Sequence, residues 1–190
     1  MSGTVDQWGC LGSTIKVSSG HYVDIQNPEP DMIDIHSIAS ALSKICRFGG
    51  HCPLFYSVAE HCIHAAGFAF KDGKQIEVVR AVLLHDATEA YLGDMVKPLK
   101  QLLPQYSVLE AKMEHAVSER FGIDFAKHAY IIKHYDRLML KAEKIAQWPT
   151  DNSQWTGFAE IEHRPVDFMY HEPERARIEF LEAAKFIGLL

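Results

Sequence analysis

Apolar side chains recur at intervals of three and four residues along most of the chain, and this spacing predicts helices. The first such segment begins at about 35, carries Ile45 and ends near Gly49-Gly50. Further segments lie over about 57–70, 75–92, 107–121 and 126–147, and a last helix begins near Pro173. Asp34 stands where an N-cap would begin the first of them. The long stretch 148–172 shows little periodicity and is predicted to be a loop.

Before the first helix, two short alternating segments flank Ser18-Ser19-Gly20 and predict a β-hairpin over about 14–26. Together these patterns predict a mostly α protein with a short N-terminal β-hairpin. With 190 residues we expect a single domain over 1–190, with a helical core at about 34–147 and a C-terminal loop and helix at 148–190.

Composition narrows the classes of function. Hydrophobic residues make up 47% of the chain and charged residues 23%, which is typical of a globular protein. The net charge of -6 argues against a protein that coats nucleic acid. No apolar run approaches the roughly 20 residues of a membrane span, and the first residues do not resemble a signal peptide. We therefore expect a cytoplasmic protein without a membrane or nucleic-acid partner.

Cysteine and histidine usage points towards a metal. The four cysteines, Cys10, Cys46, Cys52 and Cys62, form no C-x-x-C pair, so free thiols are expected rather than a thiolate metal site. Eleven histidines are an unusually high number for this length. The sequence therefore favours a site built from imidazole and carboxylate groups.

The strongest candidate is the run that ends in His85-Asp86, because it places two polar residues after four apolar ones on a predicted helix. Burying such a pair is costly unless both groups are paired or ligated. Glu89 shares their predicted helical face, and Asp94 follows near the helix end. These four residues predict a polar pocket rather than an isolated core histidine.

Two more residues, together with His85 and Asp86, complete a metal site. His61 lies on the preceding predicted helix, and Asp136 lies among apolar positions of a later one. Two histidines and two aspartates form a mixed N/O set suited to Mn, Co, Ni, Zn or Fe(II), with Mg as a further candidate. Water bound to such a metal becomes a nucleophile near neutral pH.

The ordered pattern His61, His85-Asp86 and Asp136 resembles the H…HD…D signature of HD-domain metal-dependent phosphohydrolases. The segments 58–61 and 85–94 are most similar to the bacterial 5'-deoxynucleotidase branch, which includes small phage dATP triphosphohydrolases. The resemblance covers about 35–145 and implies an HD-type helical bundle. It also implies that the four residues bind one divalent metal and that the protein forms homo-oligomers.

The same resemblance implies roles for seven further residues. Glu89 and Asp94 would supply the acid/base, and Arg47 would hold phosphate, with the adjacent aromatic Phe48 forming a wall. Lys97, Lys100 and His64 are further candidate substrate contacts.

The implied reaction is attack of water on the α-phosphorus of a deoxynucleoside 5'-phosphate. A monophosphate would yield deoxynucleoside and phosphate, and a triphosphate such as dATP would yield deoxynucleoside and triphosphate. Arg47, Lys97 and Lys100 together keep the triphosphate possible. The alternatives are an HD phosphodiesterase acting on another phosphate ester and a non-catalytic nucleotide-sensing module.

Overall fold

The computed structural model describes residues 12–153, 155 and 157–190. Within these ranges the chain forms a two-stranded antiparallel hairpin and eight helices. Strands β1 (Thr14–Lys16) and β2 (Tyr22–Asp24) pair with Ile15 opposite Val23. The prediction of a mostly α fold with a short N-terminal hairpin is confirmed.

The helices are α1 (Ile35–Leu42), α2 (Val58–Lys71), α3 (Ile76–Leu83), α4 (Glu89–Leu92), α5 (Lys97–Leu102), α6 (Pro104–Phe121), α7 (Phe125–Gln147) and α8 (Pro173–Phe186). Helix α2 lies at the centre, because it packs against α3, α7 and α8. Its buried residues are mostly apolar, and they include two polar ones, Glu60 and His61. No helix of the described residues has the length and apolar character needed to cross a bilayer.

Local sequence signals explain where several helices begin. The Asp34 carboxylate accepts a hydrogen bond from Ser37 N at 2.8 Å, and the Ser57 hydroxyl accepts one from Glu60 N at 3.1 Å. Asp124 caps α7 in the same way through Lys127 N at 2.8 Å. Gly122, with a φ of 63°, ends α6 in the left-handed conformation that glycine adopts without strain.

Three predicted boundaries need correction. Helix α1 ends at Leu42 rather than near Gly49-Gly50. The predicted continuous helix over 75–92 is interrupted, because α3 ends at Leu83 and α4 begins only at Glu89. His85 and Asp86 therefore lie in a turn between two helices rather than inside one, and this turn directs both side chains towards α2. Helix α6 begins at Pro104 rather than near 107, since proline is well suited to a first helical turn. The short helix α5, at the Pro98 segment, was not predicted.

Candidate metal centre and adjoining cavity

Four side chains from three parts of the fold meet at one point. His61 comes from α2, His85 and Asp86 come from the turn after α3, and Asp136 comes from α7. The His61 Nε2 and His85 Nε2 atoms are 3.3 Å apart. Asp86 Oδ2 lies 3.7 Å from the first and 3.2 Å from the second, and Asp136 Oδ1 lies 3.5 Å and 4.0 Å from them. The structure thus brings together all four residues predicted to bind a metal, and His61, His85 and Asp86 form a group that could hold an ion.

The hydrogen bonds on the far side of each imidazole ring test whether a cation fits. His61 Nδ1 is 2.6 Å from a Glu143 carboxylate oxygen, and His85 Nδ1 is 2.7 Å from the Val82 carbonyl oxygen. Both partners only accept hydrogen bonds, so both Nδ1 atoms carry the hydrogen. When the rings are neutral, the lone pairs of the two Nε2 atoms therefore face each other at 3.3 Å. These lone pairs repel each other, and a cation bound by both nitrogens removes that repulsion.

The charges around the two rings also favour a bound cation. Burial and the Arg47 charge lower the pKa of His61, but Glu143 and Asp136 outweigh them and the pKa is raised. Burial also lowers the pKa of His85, but the negative charge of Asp86 outweighs this effect, and the pKa lies well above its usual value. Raised pKa values on both rings mark the cluster as anion-rich, and a divalent ion would compete with protons for it.

Glu143 is the important residue that the sequence reasoning missed. It lies on α7 and is completely buried, and its second carboxylate oxygen accepts a hydrogen bond from Arg47 Nη2 at 3.0 Å. Burial alone would raise the pKa of Glu143, but the charges of Arg47 and His61 lower it to about 2. Glu143 therefore stays ionised and fixes the His61 ring. It stands seven residues after Asp136, two helical turns along the same face, and that spacing was the available signal.

A cavity of about 560 Å³ opens beside the four ligands, and Asp86 and Asp136 form part of its wall. Glu89 also lines it, is 7% exposed, and has one carboxylate oxygen without a hydrogen-bond partner among the described residues. Burial, reinforced by the charges of Asp86 and Asp94, raises the pKa of Glu89 to about 9. Burial also raises the pKa of Asp94, another lining residue. Both predicted acid/base residues therefore face the cavity, and Glu89 keeps its proton at neutral pH.

The five predicted substrate contacts divide into two groups. Arg47, Phe48 and Lys97 line the cavity, although the Arg47 side chain is engaged by Glu143 and lies 3.7 Å from Asp86. Lys100 and His64 are not among the described residues that line it. Lys100 forms an ion pair with Glu110 at 2.6 Å, and His64 Nε2 lies 3.5 Å from Glu60.

Aromatic side chains close one side of the cavity. The Phe48 ring packs edge-on against Trp148 with the ring centres 5.0 Å apart, and Trp155 itself lines the cavity. These tryptophans belong to the segment after α7, which was predicted to be a loop. Lys144 of α7 holds that segment, donating to the Ser153 carbonyl oxygen at 2.7 Å. The site therefore offers a flat apolar surface beside the candidate metal ligands.

A second, shallower groove of about 350 Å³ also borders the site. His85 and Asp136 form one end of it, and α6 and α7 contribute Glu114, Ala126 and Ala129 to its walls. Asp136 is thus shared by the large cavity and the α6–α7 groove. The candidate metal centre is consequently open on two sides.

Two curated proteins are similar to this chain over most of its length. The first is "Uncharacterized protein YfdR" of Escherichia coli (strain K12), 37% identical over 143 residues, which cover 75% of this chain and 77% of the relative. The second is "Uncharacterized protein RCAP_rcc00048" of Rhodobacter capsulatus, 32% identical over 164 residues, which cover 84% of this chain and 80% of the relative. No protein-family model matches the chain. Neither relative's name states an activity.

Proposed function

We propose that this chain, which belongs to the same family as E. coli YfdR, is a metal-dependent phosphohydrolase acting on deoxynucleoside 5'-phosphates. One observation carries the proposal: the two histidines and two aspartates converge beside a cavity that is also lined by the buried Glu89, one of whose carboxylate oxygens has no hydrogen-bond partner among the described residues. A purely structural metal site has no need for an additional carboxyl group directed into an open cavity. The resemblance to HD-domain phosphohydrolases supports the same function.

His61, His85, Asp86 and Asp136 would hold the metal, and their N/O donor set suits Mn, Co, Ni, Zn or Fe(II). When bound, the ion would supply Lewis-acid chemistry that activates water and withdraws charge from a phosphate group. Asp86 and Asp136 each contact both imidazole rings, so the set is organised before any ion arrives.

Glu89 is the proposed general acid. Hydrolysis of a phosphate ester needs a proton on the departing 5' oxygen, and a carboxylic acid that remains protonated at neutral pH can donate it. Without a bound metal, burial and the charges of Asp86 and Asp94 raise the pKa of Glu89 to about 9. Burial, the largest of these causes, would remain when a metal offsets the charge of Asp86. Asp94, whose charge adds to this shift, lines the same cavity and is the proposed partner that orients the reacting groups.

The number of available cations favours a monophosphate over a triphosphate. Glu143 engages Arg47, and Glu110 engages Lys100. Among the described residues that line the cavity, Lys97 is then the cation that forms no ion pair with another described residue. A triphosphate carries two further phosphate groups that would need positive partners. We therefore propose that deoxynucleoside monophosphates are the preferred substrates, yielding deoxynucleoside and phosphate.

The α6–α7 groove favours phosphodiester hydrolysis as a second candidate function. A diester carries a substituent on each side of the phosphorus, and the site is open on both sides of Asp136. One substituent would occupy the large cavity and the other would extend along Ala126 and Ala129. A monoester would leave the groove to solvent.

A turnover panel tests these proposals. Metal-stripped protein is reconstituted with Mn, Co, Zn or Mg and offered each dNMP, dNTP and rNMP, together with bis-p-nitrophenyl phosphate as a diester. Chromatography separates nucleoside, phosphate and triphosphate. Release of phosphate from dNMPs, abolished by Asp86→Ala, would support the main proposal, whereas triphosphate release would overturn the preference for monophosphates.

Two further outcomes are decisive. Turnover of the diester alone would replace the main proposal with the second candidate. Tight metal binding with no turnover of any compound would refute catalysis and favour the nucleotide-sensing module. A fully active Asp86→Ala variant free of metal would refute the role of the metal site.

A further inference from the structure

The loop between α1 and α2 carries Arg47 and has an unusual backbone conformation at the next residue. Phe48, directly after Arg47, has φ 58° and ψ 28°, in the left-handed region that bulky residues rarely adopt. Gly49 follows with a φ of 60°. The loop must therefore be fixed at its base, because the conformation itself is not favourable for a phenylalanine.

Two cysteines stand at the base of this loop. Cys46 precedes Arg47 and Cys52 follows His51, and their sulfur atoms are only 3.4 Å apart. A disulfide bond is about 2.05 Å long, so the sulfurs need to approach by about 1.4 Å. Both thiols are partly accessible, whereas Cys62 is completely buried beside His85.

Backbone contacts keep the two thiols together. Cys46 forms an antiparallel bridge with Ser57, and Arg47 N donates to the Tyr56 carbonyl oxygen at 2.9 Å. The Cys52 thiol donates to the Arg47 carbonyl oxygen at 3.7 Å. The loop thus returns on itself, and the proximity of the sulfurs follows from the path of the main chain rather than from a chance side-chain rotamer.

We propose that Cys46 and Cys52 are a modification site at which a reversible disulfide closes the loop carrying Arg47 and Phe48. The oxidant is a small-molecule disulfide. One cysteine sulfur attacks it, forming a mixed disulfide and releasing the first small thiol. The second cysteine then attacks the protein sulfur of the mixed disulfide and displaces the second small thiol. The two cysteines lose two electrons and two protons, and the oxidant is reduced to two thiols.

The order of attack follows from the surroundings of the thiols. Burial, together with the hydrogen bond to Cys46, raises the pKa of Cys52 to about 11. Cys52 therefore keeps its proton at neutral pH, and we assign the first attack to Cys46. Formation of the disulfide should accelerate as the pH rises, because more of the resolving thiol becomes thiolate.

The disulfide would act on the candidate metal centre through Arg47. The Arg47 side chain donates a hydrogen bond to Glu143, and Glu143 accepts another from the His61 ring. Opening of the loop would withdraw Arg47 from this chain of contacts, and a covalent link between Cys46 and Cys52 would prevent the opening. We expect the oxidised protein to release a bound metal ion more slowly than the reduced protein.

The first test maps the disulfide without any measurement of hydrolysis. The full chain is incubated with glutathione disulfide, blocked with iodoacetamide, digested and analysed by mass spectrometry, with Cys46→Ser, Cys52→Ser and Cys10→Ser as variants. We expect a Cys46–Cys52 link in both the wild type and Cys10→Ser, with two of the four thiols lost in the wild type and two of the three in the variant. Stable glutathione adducts on both cysteines, a link to Cys10 instead, or four unreacted thiols would overturn the proposal.

A second measurement addresses the consequence. Protein loaded with Zn²⁺ is mixed with a coloured chelator, and the rate of transfer is compared for reduced, oxidised and re-reduced samples. A several-fold slower release from the oxidised form, reversed by dithiothreitol and absent in Cys52→Ser, is the expected result. Equal rates would refute the link to the metal centre. Neither measurement depends on turnover, so the disulfide can fail or succeed independently of the proposed hydrolysis.

Discussion

Replacement of Glu143 by glutamine tests the support of the candidate metal centre most directly. The carboxylate accepts from His61 Nδ1 at 2.6 Å and from Arg47 Nη2 at 3.0 Å. An amide of the same shape offers one oxygen and one NH₂ group, so it can accept from only one of these donors and points a donor at the other. The Glu143→Gln variant therefore keeps the volume of the side chain but loses one contact and the negative charge.

The size of the effect follows from the two roles of this residue. Loss of a carboxylate that orients a metal-binding histidine typically lowers metal affinity 10- to 100-fold, which is about 1.4 to 2.8 kcal/mol. The stability cost is separate: Arg47 is 9% exposed, and removal of the partner of a buried charge costs about 3 to 5 kcal/mol. The remaining contact of Arg47 with Asp86, at 3.7 Å, places the expected loss of unfolding free energy near the lower value.

Competition with a coloured chelator would give the metal affinity, and urea unfolding of the metal-free protein would give the stability. Glu119→Gln, at an exposed position on α6, is the matched control and should change neither quantity. Metal affinity equal to that of the wild type in a folded Glu143→Gln variant would refute the idea that Glu143 fixes the His61 ring.

Three further predictions concern other parts of the molecule. Glu89→Gln should lower kcat by about 100-fold or more. It should also remove an alkaline limb of the pH–rate profile at or below about pH 9, where the wild type loses the Glu89 proton. An unchanged limb would exclude Glu89 as the acid. Lys97→Met should raise KM for a dNMP with little change in kcat, whereas unchanged kinetics would mean that Lys97 does not contact phosphate. Glu60→Gln should cost about 1 to 3 kcal/mol at pH 7, since Glu60 accepts three backbone N–H groups at 3.0–3.1 Å. Burial raises the pKa of Glu60, but hydrogen bonds outweigh it and lower the pKa. The stabilisation by Glu60 is therefore present above the unfolded-state pKa of about 4.3 and is lost as the pH falls through the lower folded-state value. An equal cost of the substitution at pH 3 in urea unfolding would contradict this.

Periodicity predicted the helices well where one face alone is buried, as in α2 and α7. It failed at His85-Asp86, because apolar residues continue up to Leu84 and hide the point at which α3 ends. The break brings two adjacent side chains together. On a straight helix His85 and Asp86 would point about 100° apart, whereas the turn places Asp86 Oδ2 3.2 Å from the ring of its own neighbour, His85.

The four candidate ligands could be predicted because imidazole and carboxylate groups stand out among apolar neighbours. The residues that support them could not be predicted in the same way. Arg47 looked like a phosphate-binding residue, but only the fold shows that a buried Glu143 engages its guanidinium from 96 positions away. Likewise, nothing in the spacing of Cys46 and Cys52 shows that the chain returns on itself between them. These contacts depend on long-range packing, which a local pattern does not record.

The cluster of anionic groups around His61 and His85 leads to a last prediction, on how metal binding depends on pH. Despite their burial, the carboxylates raise the pKa of both rings, which strengthens the competition of protons with a metal ion. A metal ion must displace these protons, and its apparent affinity should therefore increase as the pH rises through the raised histidine values. Titration of the metal-free protein with Zn²⁺ in a weakly buffered solution should release protons, and the apparent Kd should be lower at pH 8 than at pH 6. Binding without proton release would mean that the rings are already neutral, and the facing Nε2 lone pairs would then have to be held together by packing alone.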